Sequence, residues 1–196
     1  MNRLKQLILV CFGLICLANI NSNAQDYTNN TAKYLTWTAL QLVPSPVFLQ
    51  DSDGKNAGLK FGLRWQVIPI NISFRANKYV SPAQFFMINP TRKFTGSIEL
   101  FVQPELAISQ FNYSGLNRFG VAAGSRITFP IKGDGEIFSG SIGGKYNFRK
   151  DDLDNTKGYY GLEAGFYVLY GIVGLQFNYN FTDKTKYNFG IYFKYF

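Results

Sequence analysis

The sequence predicts an all-β protein: an antiparallel up-and-down transmembrane β-barrel, counted at eight strands. Three observations predict it. Beyond about Lys33 no long stretch repeats with a helical period, whereas apolar and small-or-polar residues alternate again and again, as they do in strands whose successive side chains point to opposite faces. The alternating stretches run to roughly 10–15 residues, longer than the roughly 5–6 of soluble strands and sufficient for the roughly 9–11 that cross a bilayer at a tilt. One face of each stretch is dense in Phe, Tyr, Leu, Ile and Val, while the other carries Gly, Ser, Asn, Gln, Lys, Arg and Glu. Soluble barrels have the opposite polarity, apolar inside and polar outside, and a glycine-rich polar face suits a narrow interior. With 196 residues, 46% apolar and 17% aromatic, the chain is long enough for one barrel and too apolar for disorder.

The first element is an export segment. Met1 to Gln6 is a short cationic start, Leu7 to Ile20 an apolar run, and Asn21 to Gln25 a stretch with a small residue at the cut site. This is the layout of a secretory signal peptide over residues 1–25, cleaved near Ala24 or Gln25, which leaves 26–196 as the barrel domain. The apolar run falls short of the roughly 20 residues of a transmembrane helix. Cys11 and Cys16 both lie inside it, and neither follows the small residue that a lipidation site wants. Removing Arg3 and Lys5 leaves 18 basic and 12 acidic side chains, net +6, and no cysteine. An exported domain without disulfides rests on packing and hydrogen bonding alone.

Eight strands are expected at 33–43, 58–75, 94–108, 117–131, 136–149, 158–169, 172–182 and 185–196. Leu59, Phe61, Leu63, Trp65 and Val67 oppose Lys60, Gly62, Arg64 and Gln66. Ile98, Leu100 and Val102 oppose Ser97, Glu99 and Gln103; Ile127 and Phe129 oppose Arg126 and Thr128; Ile142, Tyr146 and Phe148 oppose Ser141, Lys145 and Asn147. The last third is the most regular: Tyr160, Leu162 and Phe166 oppose Glu163 and Tyr167, Leu175, Phe177 and Tyr179 oppose Gln176 and Asn178, and Phe189, Ile191 and Phe193 oppose Asn188, Gly190 and Tyr192. An even strand number closes an antiparallel barrel with both ends on one side. With the C-terminus in the periplasm, the tight turns at 132–135 and 169–172 are periplasmic and the segments 44–57, 109–116 and 150–157 become extracellular loops. One segment resists. Residues 76–93 would make a long connection on the side where connections are short, and Pro69 shifts the parity of the second strand, with Ile70, Ile72 and Phe74 taking over the apolar face. Either a bulge sits at Pro69 or an extra strand hides in 78–90.

The end of the chain resembles the C-terminal insertion signal of Gram-negative outer-membrane barrels: Asn188, then Gly190, then Phe193 and Tyr195 at alternate positions, with Phe196 terminal. An aromatic, alternating last strand with an open edge suits capture by an assembly machine. Together with the export segment and strand count, the mature chain is similar to small OmpA- or OmpX-like eight-stranded barrels. That resemblance implies residence in the outer membrane, contact with outer-membrane lipid and lipopolysaccharide, assembly by the barrel-assembly machinery, and a monomer. It carries over no catalytic residue.

The chemistry follows from the inward parity. Lys60, Arg64, Glu99, Glu105, Arg118, Arg126, Lys145, Arg149 and Glu163 face inward, and an eight-stranded barrel is just wide enough for side chains to fill. We therefore expect Lys60, Arg64, Glu99, Arg118, Arg126, Lys145 and Glu163 to form a charge network that closes the lumen, since buried Glu99 and Glu163 need cationic partners. The chain has no histidine, whereas the barrel enzymes (lipid A deacylases, lipid A palmitoyltransferases and omptin-like proteases) rely on it. Glu99 and Glu105 stand roughly 20 Å apart at ~3.3 Å per residue, too far to act as a pair. No enzyme activity, cofactor or metal is expected. The phosphate-loop echo at Gly140 to Lys145 is one residue short and ends in Tyr146, so strand glycines explain it; Asp51-Ser52-Asp53-Gly54 lacks the later ligands of a calcium loop and reads as an Asp-Gly turn. Basic residues are scattered and the chain is exported, so nucleic acid is not an expected partner, although the net charge suits lipopolysaccharide phosphates. The expected role is structural or surface interaction through the loops. A barrel that acts on or carries a lipid or small apolar ligand is the alternative, and a soluble exported barrel with its faces reversed a third.

Overall fold

The computed structural model describes residues 42–74, 82–85, 96–132, 137–151, 158–169 and 173–193. Contacts divide the chain into two units, Met1–Thr36 and Trp37–Phe196, and every described residue belongs to the second. The export segment with Cys11 and Cys16, nearly all of the strand expected at 33–43, and Tyr195 and Phe196 lie outside the described residues.

The described chain is all β: a closed antiparallel barrel of eight strands with one extra strand. In chain order the strands are β1 (Ser45–Ser52), β2 (Ala57–Arg64), β3 (Val67–Ser73), β4 (Ala83–Phe85), β5 (Ser97–Ala107), β6 (Phe119–Lys132), β7 (Phe138–Phe148), β8 (Tyr159–Val168), β9 (Val173–Asn180) and β10 (Tyr187–Phe193). From β5 to β10 each strand pairs with the next in an unbroken meander. The wall closes through β1, which pairs β10 on one side and β2 on the other. The second stave is β2 followed by β3, both laid against β5: Gly62 to Arg64 face Ala107 to Glu105, and Val67 to Ser73 face Val102 to Ser97.

Three expectations about the first third need correction or refinement. Residues 44–57, read as an extracellular loop, contain β1, so only Asp53 to Asn56 turn between strands. The expectation failed because the two central inward residues of β1 are the apolar Val47 and Leu49, between Ser45 and Asp51, which departs from the polarity found elsewhere. At Pro69, Val67 pairs with Val102 and Ile70 with Leu100, so that Ile68 and Pro69 together oppose Phe101. That is a bulge, and it turns both Ile68 and Asn71 inward. The extra strand is present as well: β4 pairs Ile70 to Ile72 along the other edge of β3, which covers backbone groups that β1 does not reach.

Apart from Arg118, the described residues of β2 and of β5 to β10 adopt the faces that the period of two predicted. Ile127, Ile142, Leu162, Leu175 and Phe177 point outward and are about half exposed, whereas Glu99, Arg126, Lys145, Glu163 and Gln176 are buried. Buried polar and charged side chains outnumber buried apolar ones by more than two to one among the described residues. Trp65 lies on the outer wall, where its indole Nε1 donates to the Leu42 carbonyl at 2.8 Å. Turns 53–56, 108–118 and 181–186, with the Phe148 end of β7 and the Tyr159 end of β8, lie at one end, called here the first mouth; the opposite end is the second. The Asp53-Gly54 turn is an Asx turn. Asp53 accepts from the amides of Asn56 at 2.6 Å and Lys55 at 2.8 Å, and these bonds hold its carboxyl below the usual carboxylate range. Gly54 sits at φ 89°, the left-handed region that favours glycine.

Candidate functional site

The lumen holds a column of charges joined by glutamines. Arg126 on β6 is its hub: Nε donates to Glu99 Oε2 at 2.7 Å and Nη1 to Glu163 Oε1 at 2.9 Å. Register places these groups, because Glu99 is paired with Arg126 across β5–β6 and Arg126 with Gly143 across β6–β7, which in turn faces Glu163. With no side chain at Gly143, the two charged chains meet over it. Gln103 Nε2 donates to Glu163 Oε2 at 2.9 Å and to Gln66 Oε1 at 3.1 Å, and Gln66 Nε2 to Gln176 Oε1 at 2.9 Å. Gln176 Nε2 reaches the Tyr167 hydroxyl at 3.2 Å. Gly165 and Gly174 flank that ring so closely that a Cβ on either would collide with it. Large and small side chains thus interlock across the bore.

Towards the first mouth Glu105 gathers the remaining cations. Arg64 Nη2 lies 2.8 Å and Arg149 Nη2 2.9 Å from its oxygens, and Lys145 Nζ stands between Glu105 at 3.9 Å and Glu163 at 3.7 Å. Lys145 also donates to Gln103 Oε1 at 3.1 Å. Four cations and three carboxylates are therefore buried in one continuous network, nearly neutral in sum. Ionised groups hidden from water are tolerated when their partners are held in such geometry.

Above this column the first mouth is capped. Phe111 and Leu116 of the 108–118 loop are buried against Val47, Leu49 and Ala107, and the Arg149 guanidinium lies 5.2 Å from the Phe111 ring centroid. Asp51, fully buried at the end of β1, accepts the amides of Asn112 at 2.7 Å, Ser114 at 2.8 Å and Tyr113 at 3.2 Å. Lys60 Nζ lies 3.6 Å from the same carboxylate. Lys184 Nζ meets Asp151 at 3.0 Å, and Leu116 bridges to Asp151. The segment 109–116 is thus partly a stopper turned into the bore.

Of the seven residues expected in the charge network, Arg64, Glu99, Arg126, Lys145 and Glu163 meet there. Lys60 is drawn instead to Asp51 at the mouth. Arg118 is a correction: it precedes the first residue of β6, is exposed, and its Nε donates to the Ala107 carbonyl at 3.0 Å. Of the assembly-signal residues, Asn188 and Gly190 face inward on β10 and Phe193 outward. Sequence reasoning missed Asp51 and the bridging roles of Gln66, Gln103, Gln176 and Tyr167. The glutamines and Tyr167 carried the inward parity, but parity does not tell which of them touch. Asp51 carried no signal, because its strand was read as a loop. Gly140 to Lys145 lies within β7, as strand glycines should.

Among the described residues no helix is long and apolar enough to cross a membrane, which bears on helices alone, and no group of three acidic, cysteine or histidine side chains could hold a metal. No family model, curated protein or solved structure matches the chain. Its function has to be argued from the barrel itself.

Proposed function

We propose that the chain is an integral barrel of a Gram-negative outer membrane, exported by its N-terminal segment, with a side-chain-filled lumen and a non-enzymatic structural or surface-interaction role at the first mouth. The observation that carries this reading is the outer wall. Phe138 and Phe148 bound the outward face of β7; ten residues at ~3.3 Å, tilted by about 40°, span about 25 Å, the height of the apolar band of outer-membrane barrels. At the first-mouth edge of this band Tyr146 packs on Phe148 and Tyr160, and Tyr179 on Phe181 and Tyr187. Phe138 and Phe166 pair at the other edge. Ile127, Ile142, Leu162 and Leu175 lie between, each about half exposed. Aromatic edges around an aliphatic middle match the two interfaces of a bilayer. Water would face far more contiguous apolar surface than soluble monomers carry.

Two further features support the reading. The barrel has no open wall at the first mouth, where β1 joins β10 and β2, and closure satisfies the backbone where lipid cannot. The lumen is occupied by charged side chains bonded to one another, which offers an apolar cargo little to bind and favours a structural role over a carrier. Outer-membrane lipid, lipopolysaccharide and the assembly machinery are the partners this reading implies. It is tested by fractionation with gel mobility: an outer-membrane protein migrating faster unboiled than boiled is expected. Recovery in the soluble fraction refutes the location, and steady single-channel conductance refutes the filled lumen.

A further inference from the structure

Among the described residues, the buried column carries one positive charge more than it balances, and the surplus is local. Arg126 and Lys145 answer Glu99 and Glu163, whereas Glu105 faces both Arg64 and Arg149. The pairs Lys60–Asp51 and Lys184–Asp151 at the first mouth are each neutral and leave that surplus where it stands. Arg64 is 2% exposed, and its Nε and Nη2 both turn to a single oxygen, Glu105 Oε1, at 2.8 Å. Its Nη1 is buried with no acceptor among the described residues. Lys145 leans on the same Oε1 from 3.9 Å and on Glu163 Oε2 from 3.7 Å, both longer than the roughly 2.7–2.9 Å of a charge-assisted bond. Its closest polar contact among the described residues is the neutral Gln103 Oε1, at 3.1 Å. Two cations thus share one carboxylate oxygen, and both have donors left over.

We propose that the lumen binds a small monovalent anion, a halide such as chloride, between Arg64 Nη1 and Lys145 Nζ. An unbalanced buried charge is costly, and a buried N–H without an acceptor adds to that cost. One anion relieves both, because it cancels the surplus around Glu105 and accepts from the idle donors. The surplus of one sets the valence. The size follows from an eight-stranded bore that side chains already fill. A water molecule in the same place would satisfy Nη1 and leave the charge standing. The contents of the bore are the same whichever solvent surrounds the wall, so this inference does not rest on the membrane reading.

The test uses the full mature chain folded in detergent micelles. Crystals grown in bromide should show an anomalous peak in the lumen in contact with Arg64 Nη1. Bromide found solely against exposed cations such as Lys55 is an adventitious ion only and overturns the site, as does a lumen without any peak. Urea unfolding at fixed ionic strength, with chloride replacing the bulky gluconate ion, reads the same site in solution. Once the site is mostly filled, each tenfold rise in chloride should raise the folding constant about tenfold. Lys145→Met removes the surplus charge together with one ligand, and its unfolding should be indifferent to chloride. Lys55→Gln removes an exposed charge of the same sign and should respond like the parent. No chloride response in the parent, or an equal response in Lys145→Met, overturns the proposal, and so does a response lost equally in Lys55→Gln. If Lys145→Met does not fold, the bromide map of the parent decides alone.

Discussion

The meander from β5 to β10 and the seam made by β1 to β4 are built on different principles. In the meander, β5–β6 and β7–β8 pair over ten residues each without interruption, from Ser97↔Thr128 to Leu106↔Phe119 and from Phe138↔Val168 to Asn147↔Tyr159. Inward residues there are mostly polar, and long ladders and lumen bonds support one another. At the seam β1 meets β10 over only Val47 to Leu49, the second stave bulges at Pro69, and β4 patches the exposed edge of β3. Its inward residues include Val47 and Leu49, which seat the stopper loop. Regular pairing therefore carries the charged column, whereas the irregular seam carries closure at the mouth. The contrast explains why one buried aspartate, Asp51, is bonded to a loop instead of to the column.

Substitutions should separate the two regions, and the largest effect is expected in the column. Arg126→Ala strips the guanidinium from Glu99 and Glu163 at once, and removing one partner of a buried ion pair costs about 3–5 kcal/mol. Urea unfolding in lipid, followed by the loss of the fast-migrating band, should show the whole meander melting early; a change below about 1 kcal/mol would mean that the column contributes no cohesion. Asp51→Ala comes next. It leaves three loop amides without their acceptor and should cost about 1–3 kcal/mol, felt locally. Hydrogen exchange should rise across 108–118 while β7 and β8 stay protected, and equal acceleration in both regions would erase the distinction drawn here. Smaller still is Phe48→Ala, which removes the stack on Phe189 (centroids 4.8 Å apart) and the edge contact with Phe61. About 0.5–1.5 kcal/mol is expected beyond the lost area, appearing as faster opening of the β1–β10 seam by proteolysis. Least affected should be Lys184→Ala. Its ion pair with Asp151 sits at the solvent-facing rim, and such pairs contribute about 0–1 kcal/mol; a shift in unfolding midpoint as large as that of Asp51→Ala would promote the rim pair to a true fastener.

Legibility in the sequence followed the same division. Strands β5 to β10 were readable with their faces because a two-residue period is a local property: each residue's neighbours at i−2 and i+2 disclose its side. Arg126, Lys145, Glu99 and Glu163 were readable as lumen residues for that reason. The seam was unreadable where local pattern and environment part company. Val47 and Leu49 are apolar and inward because a loop about sixty residues later plugs the mouth above them, and Pro69 shifts the parity within one stave.

By itself, then, the sequence determined the class of fold and the two faces of β5 to β10, since these depend on alternation within single strands. Only the tertiary structure decided that Gln66 meets Gln176, that Asp51 holds the amides of Asn112 to Ser114, and that Arg118 leaves the column for the Ala107 carbonyl. Those contacts depend on how far each ladder is staggered as the sheet curls into a barrel, and stagger is set jointly by all the strands, so no single stretch of chain contains it.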